Sequence, residues 1–185
     1  MTDHESLRRL LLERSVQRGD FTLASGRKSS YYIDCRRTTM SAEGLVLIGR
    51  MGWSALQAAG WRPVGVGGLT LGADPVAYAI AAASFTSHTP VDAFSVRKQA
   101  KDHGTGRLIE GNFRSGDAVV VVEDVITSGE SARRAISAVQ QAGGHVLGVL
   151  AVVDREEGGR RSLEAQGHAV IALTTVGDLQ LGDPT

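Results

Sequence analysis

The sequence predicts an α/β fold, a central parallel sheet flanked by helices with a small N-terminal hood, and three observations predict it. The run Val119-Val120-Val121-Val122 before Glu123 is β-branched, too short to span a membrane, and free of the alternation of a half-exposed strand. Such a run marks a strand covered on both faces. Beyond Gly129 the period changes: Ala132, Ala135, Ile136, Val139 and Ala142 fall on one helical face, and Gly143-Gly144 ends the run. Strand-like and helix-like segments then alternate through most of the chain. That is the pattern of a doubly wound sheet, whose ligand crevice lies beyond the carboxyl ends of its strands.

Residues 6–16, rich in Leu and Arg, predict a first helix ending near Gly19. Residues 21–34, FTLASGRKSSYYID, predict two short strands around a turn at Ser25-Gly26-Arg27, the hood. Residues 41–60 place Leu45, Ile48, Met51, Gly52 and Ala55 at helical spacing, with Ser41 as N-cap and Glu43 in the first turn. A strand at 64–66, a helix at 73–83 and a strand at 93–96 follow, then the Val119 strand and its helix, then strands at 146–153 and 169–173. A chain of 185 residues suffices for one domain, with a hood from residues 1–40 and the C-terminal part and a core over about 41–155.

Twenty basic and twenty acidic residues balance to zero, so no global field draws the chain to nucleic acid or to an anionic bilayer, and its partners are expected to be small molecules. The N-terminus is polar and acidic, no apolar stretch approaches eighteen residues, and Cys35 has no cysteine to pair with. These features fit a cytoplasmic protein. Cys35 reads as a small packed side chain rather than a reactive thiol.

The chemistry concentrates at the joint between the Val119 strand and its helix: Glu123-Asp124-Val125-Ile126-Thr127-Ser128-Gly129-Glu130-Ser131. The first amides of a helix lack intrahelical partners and sit at the positive end of its dipole, a seat for phosphate. Thr127, Ser128 and Ser131 add hydroxyl donors, and Gly129 lets the backbone come close. Glu123 and Asp124 repel phosphate but suit hydroxyl groups or a divalent cation on the same ligand. The inferred ligand is a sugar phosphate. A plain capping role for Thr127 or Ser128 is the competing reading.

This run resembles the phosphoribosyl pyrophosphate (PRPP) signature of type I phosphoribosyltransferases. The resemblance implies that fold, with the acidic pair on the ribose hydroxyls and the following loop on the 5′-phosphate. RKQAKDHGTG, from Arg97 to Gly106, is similar to the mobile catalytic loop of the orotate phosphoribosyltransferase branch, and purine enzymes do not carry that loop sequence. The likeness runs from Phe21 to about Gly159. It implies Lys101, His103 and Asp124 as catalytic residues, and a PRPP site made of Arg97, Lys98, Lys101, His103, Glu123, Asp124, Val125, Ile126, Thr127, Ser128, Gly129, Glu130 and Ser131. It implies orotate contacts from Thr127 and Arg155, Mg²⁺ held mainly by the substrate with no direct side-chain ligation, and a homodimer with shared sites. A surface ion pair of Arg155 with Glu156 or Glu157 stands as its alternative, and hood packing of Tyr31 or Tyr32 as the alternative to base contact. The segment Gly67 to Pro75 resembles the family's pyrophosphate loop. The chain departs at Ala24 and Gly72, where some bacterial members carry lysines. Competing functions are transfer to another base and a non-enzymatic regulator that binds nucleic acid, which would carry a basic face.

Overall fold

The computed structural model describes residues 1–22, 26, 28–99 and 108–181. Six strands form the main sheet in the order β5-β4-β3-β6-β7-β8. These are β3 (Gly65–Leu69), β4 (Asp92–Val96), β5 (Ile109–Gly111), β6 (Ala118–Ile126), β7 (His145–Asp154) and β8 (Val170–Thr175). All neighbours are parallel except β5, which pairs antiparallel to β4 at the edge. The connections run outward from β3 to β4 in one direction and from β6 to β7 and β8 in the other. The sheet therefore reverses between β3 and β6, and the crevice of such a sheet opens at that switch point.

Both faces of β6 are covered, as its unbroken valine run predicts. Val120 and Val122 pack with Ile48, Trp53, Leu56, Val76 and Ile80 from α3 (Ala42–Ala58) and α4 (Ala73–Phe85). Val119 and Val121 pack with Ala132, Ile136 and Val139 of α5 (Glu130–Gln141) and with Leu163 of α6 (Gly159–Glu164). Full burial of each such side chain contributes about 1.5–3 kcal/mol, which makes β6 a firmly anchored strand and a rigid base for the loop at its carboxyl end. α3 starts as expected, with Ser41 Oγ accepting from the Gly44 amide at 3.1 Å.

β3 owes its glycines to close approach. A Cβ at Gly68 would collide with the Val122 carbonyl oxygen and lie 2.7 Å from the Ala73 Cβ. Because the first obstacle is backbone of the central strand, Gly68→Ala is expected to destabilise the fold by about 2–3 kcal/mol. Thermal unfolding should register this as a fall in Tm of several degrees.

The first helix, α1, spans Asp3–Arg14 rather than 6–16. A capping box starts it early: the Glu5 amide donates to Thr2 Oγ1 at 3.2 Å, and the Thr2 amide donates to Glu5 Oε2 at 2.7 Å. Val16, expected at the end of that helix, instead opens β1 (Val16–Thr22) and pairs with Ile33 of β2 (Lys28–Ile33). This two-stranded sheet is linked to the main core through Leu7, Tyr31 and Ile33. Three short elements carry no periodic signal and were not anticipated: α2 (Arg36–Thr39), β5 and α6. Among the described residues no helix is long and apolar enough to cross a membrane.

Candidate functional site

The loops after β3 and β6 face each other across the switch point, and the end of β2 closes one side. Together they bound a cavity of about 270 Å³, with Glu123 and Asp124 on one wall, Thr70, Leu71 and Gly72 on another, and Tyr32 to Arg36 on the hood side. Leu69, Lys98, Val125 and Ser131 complete the lining. A smaller cavity of about 40 Å³ adjoins it at the start of α5, lined by Val125 to Ala132 together with Glu123.

The small cavity lies where the backbone turns from β6 into α5. The residue before α5 is Gly129 in the left-handed region, φ 76°, and no side chain caps the helix. This removes the reading in which Thr127 or Ser128 is merely a cap. The loop is braced from behind: the Gly159 amide donates to the Thr127 carbonyl at 2.9 Å, and Arg133 Nη1 donates to the Ser128 carbonyl at 3.1 Å. With its carbonyls tied back, the loop is free to aim the first helical amides outward, and among the described residues no acceptor pairs with the amides of Glu130, Ser131 and Ala132. Open amides at a helix N-terminus bind an anion.

The two acids differ. Glu123 is only 4% exposed, and among the described residues its Oε1 finds no hydrogen-bond partner. Burial, and then the neighbouring Asp124 charge, push its carboxyl well above the ordinary range. Asp124 is partly buried, and its Oδ1 accepts from the Val125 amide at 2.9 Å. Burial raises it too, partly offset by that amide. Two desolvated carboxylates side by side are costly unless a ligand supplies hydroxyls or a cation.

That cost has a testable sign. A carboxyl raised in the folded state holds its proton more tightly there than in the unfolded chain. Its penalty is thus absent below the ordinary value near 4.5 and grows as pH rises through the folded value. Glu123→Gln is therefore expected to raise the Tm of the ligand-free protein at pH 7–8 by a few degrees, and to leave it nearly unchanged at pH 4. Scanning calorimetry at the two pH values checks this.

The expected basic residues are placed unequally. Lys98 lines the main cavity. Arg97 turns away, its Nε donating to Glu110 Oε1 at 2.9 Å, and lines a neighbouring cavity of about 170 Å³. Lys101 and His103 lie outside the described residues. Arg155 sits at the carboxyl end of β7 but is only 8% exposed and does not line the main cavity. Its Nη2 meets Glu157 Oε1 at 2.9 Å, its Cζ lies 5.2 Å from the centre of the Tyr31 ring, and among the described residues its Nε has no partner. The ion pair with Glu157 is real, yet it is buried rather than superficial. The tyrosines separate in the same way: Tyr31 packs in the core, whereas Tyr32, 40% exposed, stacks 5.8 Å from Phe21 and lines the cavity. Cys35 is buried, and desolvation raises its thiol well above the ordinary range, as expected of a packed and unreactive side chain.

Asp34 and Arg36 were not singled out from the sequence, although both line the cavity. Arg36 Nε donates to Asp34 Oδ1 at 2.8 Å and Nη2 to Oδ2 at 3.2 Å. The available signal was the change from alternating YYI to the charged DCRR, which ends β2 at the cavity mouth.

Among the described residues no group of three or more His, Cys, Asp or Glu side chains gathers to hold a metal ion. Two carboxylates with an unpartnered buried oxygen nevertheless suit a hard cation that takes most of its ligands from a bound substrate.

No family model matches the chain. It is 44% identical over 182 residues to an orotate phosphoribosyltransferase of Aquifex aeolicus, covering 97% of this chain and 98% of that one. It is 48% identical over 178 residues to that of Mycobacterium avium, with 96% and 97% covered. Among solved structures, the Mycobacterium tuberculosis orotate phosphoribosyltransferase in complex with PRPP superposes with a TM-score of 0.81 at 43% identity, covering 97% of this chain and all of that one. An adenine phosphoribosyltransferase of Leishmania donovani, 15% identical with a TM-score of 0.66, shares the fold.

Proposed function

The chain belongs to the orotate phosphoribosyltransferase family, and from that membership we propose that the cavity between β3 and β6 transfers the 5-phosphoribosyl group from PRPP to orotate. The products are orotidine 5′-monophosphate and pyrophosphate, a step of pyrimidine biosynthesis. The observation that carries the reading is the pairing of open amides at the start of α5 with two desolvated carboxylates one strand end away. A phosphorylated pentose presents a phosphate to the first and hydroxyls to the second.

In this mechanism the α5 amides, with Thr127, Ser128 and Ser131, hold the 5′-phosphate. Asp124 and Glu123 accept from the ribose hydroxyls and place negative potential near the anomeric carbon. As pyrophosphate leaves, positive charge grows on the ring and negative charge on the departing oxygens, and both need stabilising at once. Lys98 faces that departure from the cavity wall, and Lys101 and His103 serve the same end in the reading carried by the loop. Orotate must chiefly be oriented, by Thr127 and by Arg155 at the β7 end, with Tyr32 against the base. For Arg155 this requires the guanidinium to engage the ligand past Tyr31. Mg²⁺, which would be held mainly by the substrate's own oxygens beside Asp124 and Glu123, would supply further charge neutralisation to the leaving group.

The same reading treats residues 1–185 as one cytoplasmic domain, with β1 and β2 as its hood, acting as a homodimer. An apolar groove of about 630 Å³ between α3 and α4, lined by Val46 and Tyr78, both more than half exposed, supports a second copy on that face. Sedimentation of Val46→Glu beside the parent protein tests it, with loss of the dimer expected. Function is tested by offering orotate, uracil, adenine and hypoxanthine separately with PRPP and Mg²⁺. Turnover of orotate alone is expected, and turnover of a purine without orotate would overturn the assignment.

A further inference from the structure

We propose that Arg36 supplies, from the hood, a cation to the pyrophosphate end of the bound phosphoribosyl donor. The inference rests on the reading of the cavity as a PRPP site and adds a residue to it.

Charge balance raises the need. Of the described residues lining the main cavity, Asp34, Glu123 and Asp124 are acidic and only Arg36 and Lys98 are basic. A ligand that carries a pyrophosphate requires positive charge on the wall away from the two ribose acids. The loop after β3 brings none: Gly72 has no side chain, and a Cβ there would lie 2.5 Å from Asp124 Oδ1. The hood does bring one, since Arg36 lines the same cavity as Leu71 and Gly72.

The guanidinium is also presented in a usable way. Asp34 engages Nε and Nη2 along one edge, which fixes the plane of the group. Among the described residues nothing accepts from Nη1, and about half of the side chain is open to solvent. A planar fork held by one edge offers its remaining N–H groups to a phosphate in a fixed geometry, so little freedom is lost on binding. Arg36 and Asp124 also feel each other electrostatically, which places the cation within range of the ribose site. Asp34 is thus a positioning residue, and its own carboxyl is lowered first by the Arg36 hydrogen bond.

The test is calorimetric titration of the parent protein, Arg36→Gln and Asp34→Asn/Arg36→Gln with PRPP and with ribose 5-phosphate, in Mg²⁺. Ribose 5-phosphate keeps the phosphate and hydroxyls but lacks the pyrophosphate, so it also reports whether the variants are folded. Arg36→Gln is expected to weaken PRPP binding about tenfold to a hundredfold, to change ribose 5-phosphate binding less than twofold, and to show the same loss in the double variant. Unchanged PRPP affinity, equal losses for the two ligands, or recovery in the double variant would each overturn the inference; recovery would mean that Arg36 only neutralises Asp34. Failure of the parent protein to bind either ligand would instead overturn the reading of the cavity itself, and this proposal with it.

Discussion

Replacing Lys101 with alanine is expected to lower kcat by about two to three orders of magnitude while changing PRPP affinity only modestly. The departing pyrophosphate gains negative charge as the glycosidic bond breaks. Of the described cations, Arg36 and Lys98 line the cavity and meet the bound ligand already in the ground state, while Arg97 faces Glu110 outside it. A cation that meets the leaving group mainly in the transition state contributes to kcat rather than to ground-state binding, and removing one such donor costs about 2.7–4 kcal/mol. His103→Ala is expected to act in the same direction. Single-turnover kinetics beside calorimetry separates the two quantities. A Lys101→Ala enzyme with parental turnover would remove the loop from the mechanism.

Asp124→Asn is expected to behave differently, weakening PRPP binding and turnover together by about tenfold to a hundredfold. The carboxylate is desolvated, and its Oδ1 is already oriented by the Val125 amide. Its hydrogen bonds to ribose hydroxyls are therefore made in the ground state as well as in the transition state. Hydrogen bonds to charged groups contribute about 1.5–3 kcal/mol each. An Asp124→Asn variant with parental affinity by calorimetry would move the ribose away from the β6 end.

How far these expectations were legible in the chain depends on the kind of information involved. The β6–α5 joint was readable because both of its signals are local: an unbroken β-branched run and a change of period within a dozen residues. Ser41 as a cap was readable for the same reason, whereas Gly67 and Gly68, expected in the turn after the strand, lie within β3 itself. The start of β1 at Val16 was not, because its partner Ile33 lies seventeen positions away and the Leu/Arg pattern of α1 runs up to it without a break. β5, three residues long, exists only by pairing with β4.

Side-chain direction was the least legible property. Arg97 and Lys98 are adjacent, and only the distant Glu110 decides that one turns from the cavity while the other lines it. Arg155 was correctly placed at a strand end, but the ring of Tyr31 and the carboxylate of Glu157, which bury it, belong to the assembled fold. Arg36 was overlooked because a charged residue just past a strand is usually solvated surface; its meaning comes from where the hood meets the loop after β3.

The most direct trial of the whole account is a crystal structure of this protein with PRPP and Mg²⁺. The expected map has the sugar's 2′- and 3′-hydroxyls against the side chains of Asp124 and Glu123, with the 5′-phosphate at the amides opening α5. Density for the ligand elsewhere, or a filled cavity in which those two acids touch only protein, would contradict it.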